Sequence, residues 1–145
     1  TDGIPPSQFE YKLRRLVNDY LQPPKVTKKM DIGLARILAM ENDIPLLYAR
    51  DAHELLRANE ALHILDCAKM AAVASMYRQE SRGGLYHNYV DFPQTNDSEW
   101  FCHVQLFKDN NGQMTCSKKP VKPYVVELDE HEKSAYQKMR VQQTN

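Results

Sequence analysis

The chain has 145 residues, 42% of them hydrophobic and 26% charged, with 19 Lys+Arg against 19 Asp+Glu. That size and balance describe one soluble domain, or one domain with a tail, and the zero net charge gives no electrostatic reason to expect nucleic acid or an anionic membrane as a partner. No apolar run approaches the roughly 18 residues that span a bilayer, so no transmembrane segment is expected, and no signal-peptide pattern opens the sequence. Three cysteines, Cys67, Cys102 and Cys116, are odd in number and loosely spaced. They read as free thiols in a reducing cytoplasm. The chain opens Thr1-Asp2-Gly3-Ile4-Pro5-Pro6 without Met, a linker-like start expected of a fragment or of a processed terminus.

Three helical segments come first. Pro5-Pro6 keeps the entering chain extended, and Ser7 with Glu10 fits an S-x-x-E capping box. Phe9, Leu13, Leu16, Val17 and Tyr20 then recur at spacings of three and four, one face of a helix that Pro23-Pro24 ends. Thr27 is the expected N-cap of the second helix, whose apolar set is Met30, Leu34, Ile37, Leu38 and Met40. Gly33 weakens it by about 1 kcal/mol relative to Ala, and Pro45 closes it.

The third pattern is the longest. Asp51 and Glu54 make a D-x-x-E start, and neither Pro nor Gly interrupts the chain until Gly83. A helix of roughly 28 residues, about 42 Å long, is expected. Leu55, Leu62, Leu65, Cys67, Met70, Val73, Met76 and Tyr77 spread over a wide arc, which implies contacts on more than one side. Arg82 falls at the end of this helix, where a cation meets the negative end of the dipole, and Gly83-Gly84 supplies positive-φ positions that reverse the chain.

Beyond Pro93 the period changes. Phe101 to Phe107 alternates, Lys108-Asp109-Asn110-Asn111-Gly112 is turn-rich, and Gln113 to Ser117 returns as a second strand. A two-stranded ribbon is marginal alone, so it must lie on the helices or on a partner. Tyr124-Val125-Val126 reads as a short extended segment, Asp129 to Arg140 as a polar helix, and Val141 to Asn145 as a disordered tail. The organisation is residues 1–93 as a three-helix bundle with an extension, 94–128 as a hairpin and extended segment packed on it, and 129–145 as a polar tail. The fold class is mainly α, a spectrin-repeat-like three-helix bundle with a C-terminal extended segment and a small β-hairpin.

Candidate chemistry is sparse. His87 and Asp91 lie in an aromatic segment with Tyr86, Tyr89 and Phe92, and a His–carboxylate pair can move protons. In extended backbone, however, i and i+4 point the same way about 13 Å apart, and no nucleophile is adjacent. Cys102-His103 with Cys116 lacks the C-x2-4-C or H-x3-5-H spacing of a zinc site and the four thiolates of a cluster, so no metal is expected. No G-x-G-x-x-G follows a strand, so the chain has no dinucleotide-binding unit.

The order of motifs is informative in itself: a long helix, Glu80-Ser81-Arg82-Gly83, an aromatic and His segment, Asp91-Phe92-Pro93, a polar turn with Asn96-Asp97, then Trp100. It resembles the C-terminal domain of the succinate dehydrogenase/fumarate reductase flavoprotein family, from about Phe9 to Val126. Ala49 to Arg57 and the length from Glu80 to Pro93 are similar to adenylylsulfate reductase alpha chains. The usual succinate dehydrogenase and fumarate reductase pattern, E-S-R-G-A-H-x-R-x-D-[FY]-P, is two residues shorter, and Tyr89 stands where an Arg is usual.

The resemblance implies a three-helix bundle whose extension packs against a flavin-binding domain of the same polypeptide. FAD would sit in that parent enzyme, none in this chain, and an iron–sulfur protein would be the electron partner. The family's catalytic residues lie in domains this sequence lacks, so no catalytic residue is carried over. Arg82, Tyr86, His87, Asp91 and Phe92 are the expected docking residues, with Arg82 and Asp91 fixing register by charge-assisted hydrogen bonds. A free-standing helical interaction module is the alternative, and a small enzyme using His87 and Asp91 is a third.

Overall fold

The structure, a computed structural model, describes residues 3–121. Three helices, α1 (Pro6–Tyr20), α2 (Thr27–Ala39) and α3 (Ala52–Tyr77), each pack on the other two. Phe9 and Leu13 of α1, Met30 and Ile37 of α2, and Ala61, Leu65, Ala68 and Ala72 of α3 fill the core between them. The mainly helical, three-helix reading of the sequence is the observed architecture. A 3-10 turn, Met40–Leu46, extends α2, with Pro45 inside it rather than after it.

The helix starts differ in how they are satisfied. At α1 the Ser7–Glu10 box does not form. Pro5 occupies the cap position with no side-chain hydrogen bond and Pro6 opens the first turn; the N–H that proline lacks there is one of the donors a helix start leaves unpaired anyway. Glu10 bonds Arg14 and Arg57 instead, at 2.7 and 3.0 Å. At α2 the cap position is Val26, not Thr27. At α3 Asp51 accepts the Glu54 N–H at 2.8 Å, as the sequence predicts.

Helix α3 has 26 residues and stops at Tyr77, short of Gly83. Arg82 is therefore not at its end, and the dipole argument for it fails. The buried stripe of α3 is mostly alanine, with Leu65 the one large member. Small residues let the neighbouring helices approach, while Leu55, Leu56 and Met70 remain exposed. After an extended stretch, a short helix α4 (Asp97–Trp100) leads into β1 (Cys102–Lys108) and β2 (Met114–Pro120), antiparallel with Val104 opposite Lys118 and Lys108 opposite Met114. Both strands contact α3, which supplies the cover a lone ribbon needs. The expected segment at Tyr124–Val126, the polar helix from Asp129 and the tail lie outside the described residues.

Gly33 has a packing role that its helix propensity hides. It is buried in the middle of α2, and a Cβ there would stand 2.6 Å from Tyr20 Cβ. Tyr20 Cβ is fixed to the α1 backbone, so the clash is relieved only by separating the helices. Gly33→Ala should therefore destabilise the fold by about 1–3 kcal/mol of overpacking, outweighing the roughly 1 kcal/mol that alanine gains in a helix interior. Chemical denaturation of both proteins measures this; a higher midpoint for the variant would contradict the packing argument.

Candidate functional site

The chain leaves α3 at Arg78 in extended backbone. Arg78 and Arg82 then converge on Glu80. Glu80 is fully buried, at 0% exposure. Its carboxylate accepts hydrogen bonds from Arg78 Nη1, from Arg82 Nε and Nη2 at 2.6 and 3.0 Å, and from the Asn96 N–H at 2.9 Å. Burial pushes the Glu80 carboxyl up, but the bonds from Arg82, Asn96 and Arg78 outweigh it and hold the group below its ordinary range. Arg82 also reaches Asp97 at 2.6 Å. Arg78 continues to the carbonyls of Trp100 and Cys102 at 3.0 and 2.6 Å, tying the start of the hairpin to the end of α3.

Ser81 faces the other way. Its Oγ accepts the Tyr89 N–H at 2.9 Å and lies 2.9 and 3.2 Å from the Phe92 and Tyr89 carbonyls, either of which can take its one proton. The loop it closes turns at Gly83 and Gly84, with φ of 71° and 60°, a region that costs a side-chain-bearing residue about 1 kcal/mol or more. Leu85 and Tyr86 at its tip are 81% and 90% exposed. The returning strand pairs with the connection between α1 and α2: Lys25 N–H donates to the Asn88 carbonyl at 2.7 Å and Val90 N–H to the Lys25 carbonyl at 2.8 Å.

Two side chains of that return reach the start of α2. Asp91 Oδ2 accepts the Thr27 N–H at 2.6 Å and the Thr27 hydroxyl at 2.7 Å. These bonds hold its carboxyl below the usual range, and they cap α2 from far along the chain. Tyr89, buried, places its hydroxyl 2.9 Å from Thr27 Oγ1 and its ring edge-on to Phe92, with centroids 5.0 Å apart. Phe92 packs against the bundle core.

His87 is half-buried between α3 and the α1–α2 connection. Its Nε2 lies 3.3 Å from the Arg78 carbonyl and its Nδ1 3.4 Å from Lys25 Nζ, which also donates to Ser75 Oγ at 2.7 Å. A carbonyl only accepts and an ammonium only donates, which assigns the ring proton to Nε2. Burial first, and the Lys25 charge second, push the His87 pKa down; burial alone pushes Lys25 down. His87 and Asp91 are committed to different partners and form no acid–base pair, which removes the geometric basis of the small-enzyme reading.

Of the five residues singled out in the sequence, Arg82, His87, Asp91 and Phe92 bond or pack within the chain, and Tyr86 projects from it. Glu80, Ser81, Lys25 and Thr27, which hold the segment, are additions from the structure. Glu80 had a signal: Arg78-x-Glu80-x-Arg82 is opposite charge at the period of a strand. Among the described residues no group of three or more His, Cys, Asp or Glu is placed to hold a metal ion, and Cys102 and Cys116 are not cross-strand partners. Nor do these residues fit a flavin pyrophosphate, which needs open N–H groups at a glycine-lined helix start. Helix α1 begins with prolines, and the starts of α2 and α3 are occupied by Asp91 and Asp51.

Replacing Arg82 by Ala leaves the buried Glu80 with fewer partners and should cost about 1–3 kcal/mol of stability. The sign with pH follows from the depressed Glu80 pKa. The carboxylate's contribution is present above its unfolded value, near 4.5, and is lost as pH falls through the folded one. The deficit of Arg82→Ala should therefore shrink in acid; a deficit independent of pH would mean Arg82 acts by packing alone.

This geometry has relatives. A family model described as fumarate reductase flavoprotein C-term matches residues 10–142. The adenylylsulfate reductase subunit alpha of Megalodesulfovibrio gigas is 36% identical over 75 residues, 52% of this chain and 11% of that protein. Two solved structures, an adenosine-5-phosphosulfate reductase in complex with sulfite and the adenylylsulfate reductase of Archaeoglobus fulgidus, each give a TM-score of 0.79 at 28% identity, covering 88% of this chain and 21% of theirs. The E. coli quinol fumarate reductase subunit shares the fold, with a TM-score of 0.71 at 20% identity over 81% of this chain and 22% of its own. The chain spans about a fifth of the length of these solved relatives. No helix among the described residues is long and apolar enough to cross a membrane. With the family model covering all but the two ends, the chain belongs to the fumarate reductase flavoprotein C-terminal family.

Proposed function

We propose that these residues are the accessory part of an FAD-dependent oxidoreductase subunit of adenylylsulfate reductase or fumarate reductase type, docking onto a flavin-binding domain of the same polypeptide. The observation that carries this is the Leu85-Tyr86 turn, almost fully exposed yet held on both sides by the Glu80, Ser81 and Lys25 contacts. Large apolar groups presented on a fixed framework mark an interaction site. Val90, on the returning segment, is also exposed. In this reading Tyr86 and Leu85 enter the neighbour, while Arg82, His87, Asp91 and Phe92 fix the angle at which they do so. The bundle with its extension (residues 1–93) and the hairpin (94–128) act as one docking unit. No residue here is assigned a catalytic step; the flavin domain would hold FAD and the substrate. An iron–sulfur protein would exchange electrons with the assembled enzyme in the cytoplasm.

The test uses the flavin-binding region of the same gene product, expressed separately and titrated with the chain. Leu85→Asp with Tyr86→Ala should weaken binding at least about tenfold, or about 1.4 kcal/mol, without lowering the chain's melting temperature. Equal affinities would refute docking through this turn. The chain alone should purify without stoichiometric flavin absorbance, and its retention of flavin would overturn the division of labour.

A further inference from the structure

We propose that Lys25, Ser75 and His87 form a proton-controlled latch that holds the Arg82–Asp91 loop on the bundle, and that protonating His87 releases it. The geometry begins with Lys25, which is only 8% exposed. Among the described residues no carboxylate lies within bonding distance of its ammonium, which meets Ser75 Oγ at 2.7 Å and His87 Nδ1 at 3.4 Å. Ser75 belongs to the last turns of α3, Lys25 to the connection before α2, and His87 to the loop. One lysine side chain thus joins three separate pieces of chain.

The contact works in only one protonation state of the histidine. With Nε2–H directed at the Arg78 carbonyl, Nδ1 is the sole ring acceptor for Lys25. A second proton converts it to a donor and sets two positive groups face to face. The charged and titratable groups around the ring come from every packed element. They are Lys25 from the connection, Arg78 from the end of α3, Glu80 from the extended stretch, and His103 of β1, which lines the same cavity of about 280 Å³. Glu80 is the one anion among them, and it is already bonded to Arg78 and Arg82. Tyr89, edge-on to the His87 ring at 6.0 Å, limits how far the ring can turn away. The direction of the His87 pKa agrees: burial and then the Lys25 charge hold it below its ordinary value of 6.5.

The same lysine carries the backbone pairing to Asn88 and Val90, so the loop's main-chain bonds respond with the side chain. Release would loosen the turn that presents Leu85 and Tyr86. That consequence, unlike the latch itself, rests on the docking reading above.

Amide exchange of the isolated chain, corrected for intrinsic rates, tests the latch between about pH 7.5 and about pH 5, spanning the usual histidine range. The Arg82 and Val90 amides, which donate to the His87 and Lys25 carbonyls, should lose protection at least tenfold while core amides of α1 do not. His87→Gln, which keeps an acceptor but cannot titrate there, should hold its protection. Identical responses in the two proteins would overturn the latch. Should His87→Gln fail to fold, NMR titration of His87 serves in its place. Its pKa should lie below 6.5 and rise in Lys25→Met; an ordinary pKa, or one insensitive to Lys25, would overturn the proposal. Affinity for the flavin-binding region, measured over the same range, separates the two readings. Loop release with unchanged affinity would support the latch and sink docking through this loop.

Discussion

A carboxylate with no solvent contact, Glu80, determines how the second half of the chain is laid on the first. An unpaired buried carboxylate is too costly to persist, so wherever Glu80 goes, two guanidiniums and the Asn96 amide must follow. Those partners stand at the end of α3, at the approach to the Gly83-Gly84 turn, and in the polar turn before α4. Through Arg78 the constraint reaches Trp100, which is buried against Tyr77 with their rings edge-on at 5.7 Å. Lys118 of β2 also lies over the indole, its Nζ 3.5 Å from the ring centre. Arg78 and Trp100 thus tie the start of the hairpin to the end of α3.

The loop between these points is secured a second time, on the far side of the bundle. Asp91 caps α2, Tyr89 fills the core beneath it, and Lys25 pairs with the returning strand. Loop closure over such a separation is entropically unfavourable, and the several short bonds at Thr27 and Lys25 offset it. For a docking surface this has a direct benefit. In the proposed docking role, a turn that is already ordered would lose less freedom on binding, leaving more of the contact energy of Leu85 and Tyr86 available for association.

Helix number and order were legible because three apolar periodicities are each bounded by Pro or by a capping residue, and Asp51 caps α3 as its spacing predicts. The failures have local causes. The capping box at Ser7 lost to prolines that set the backbone before any side chain could. The length of α3 is overestimated from sequence because no Pro or Gly marks its end; the helix stops at Tyr77, and Arg78 and Arg82 then converge on Glu80. Arg82 stands out in the sequence as a guanidinium that would bond a neighbouring flavin-binding domain; within this chain it bonds Glu80, two residues away, and Asp97. The capping of Thr27 by Asp91 and the contact of Lys25 with His87 leave no trace at helical or strand spacing, because they join residues more than sixty positions apart.

The central claim is that Glu80 couples the hairpin and the loop to the helices. The most direct measurement is equilibrium unfolding of Glu80→Gln followed at once by helical circular dichroism and by fluorescence of Trp100, the single tryptophan. The substitution keeps the shape and removes the charge, leaving Arg78 without its anion and Arg82 with Asp97 alone. A loss of about 3 kcal/mol or more is expected, with the Trp100 signal changing before the helical signal because the hairpin junction separates first. Unchanged stability with coincident transitions would contradict the account.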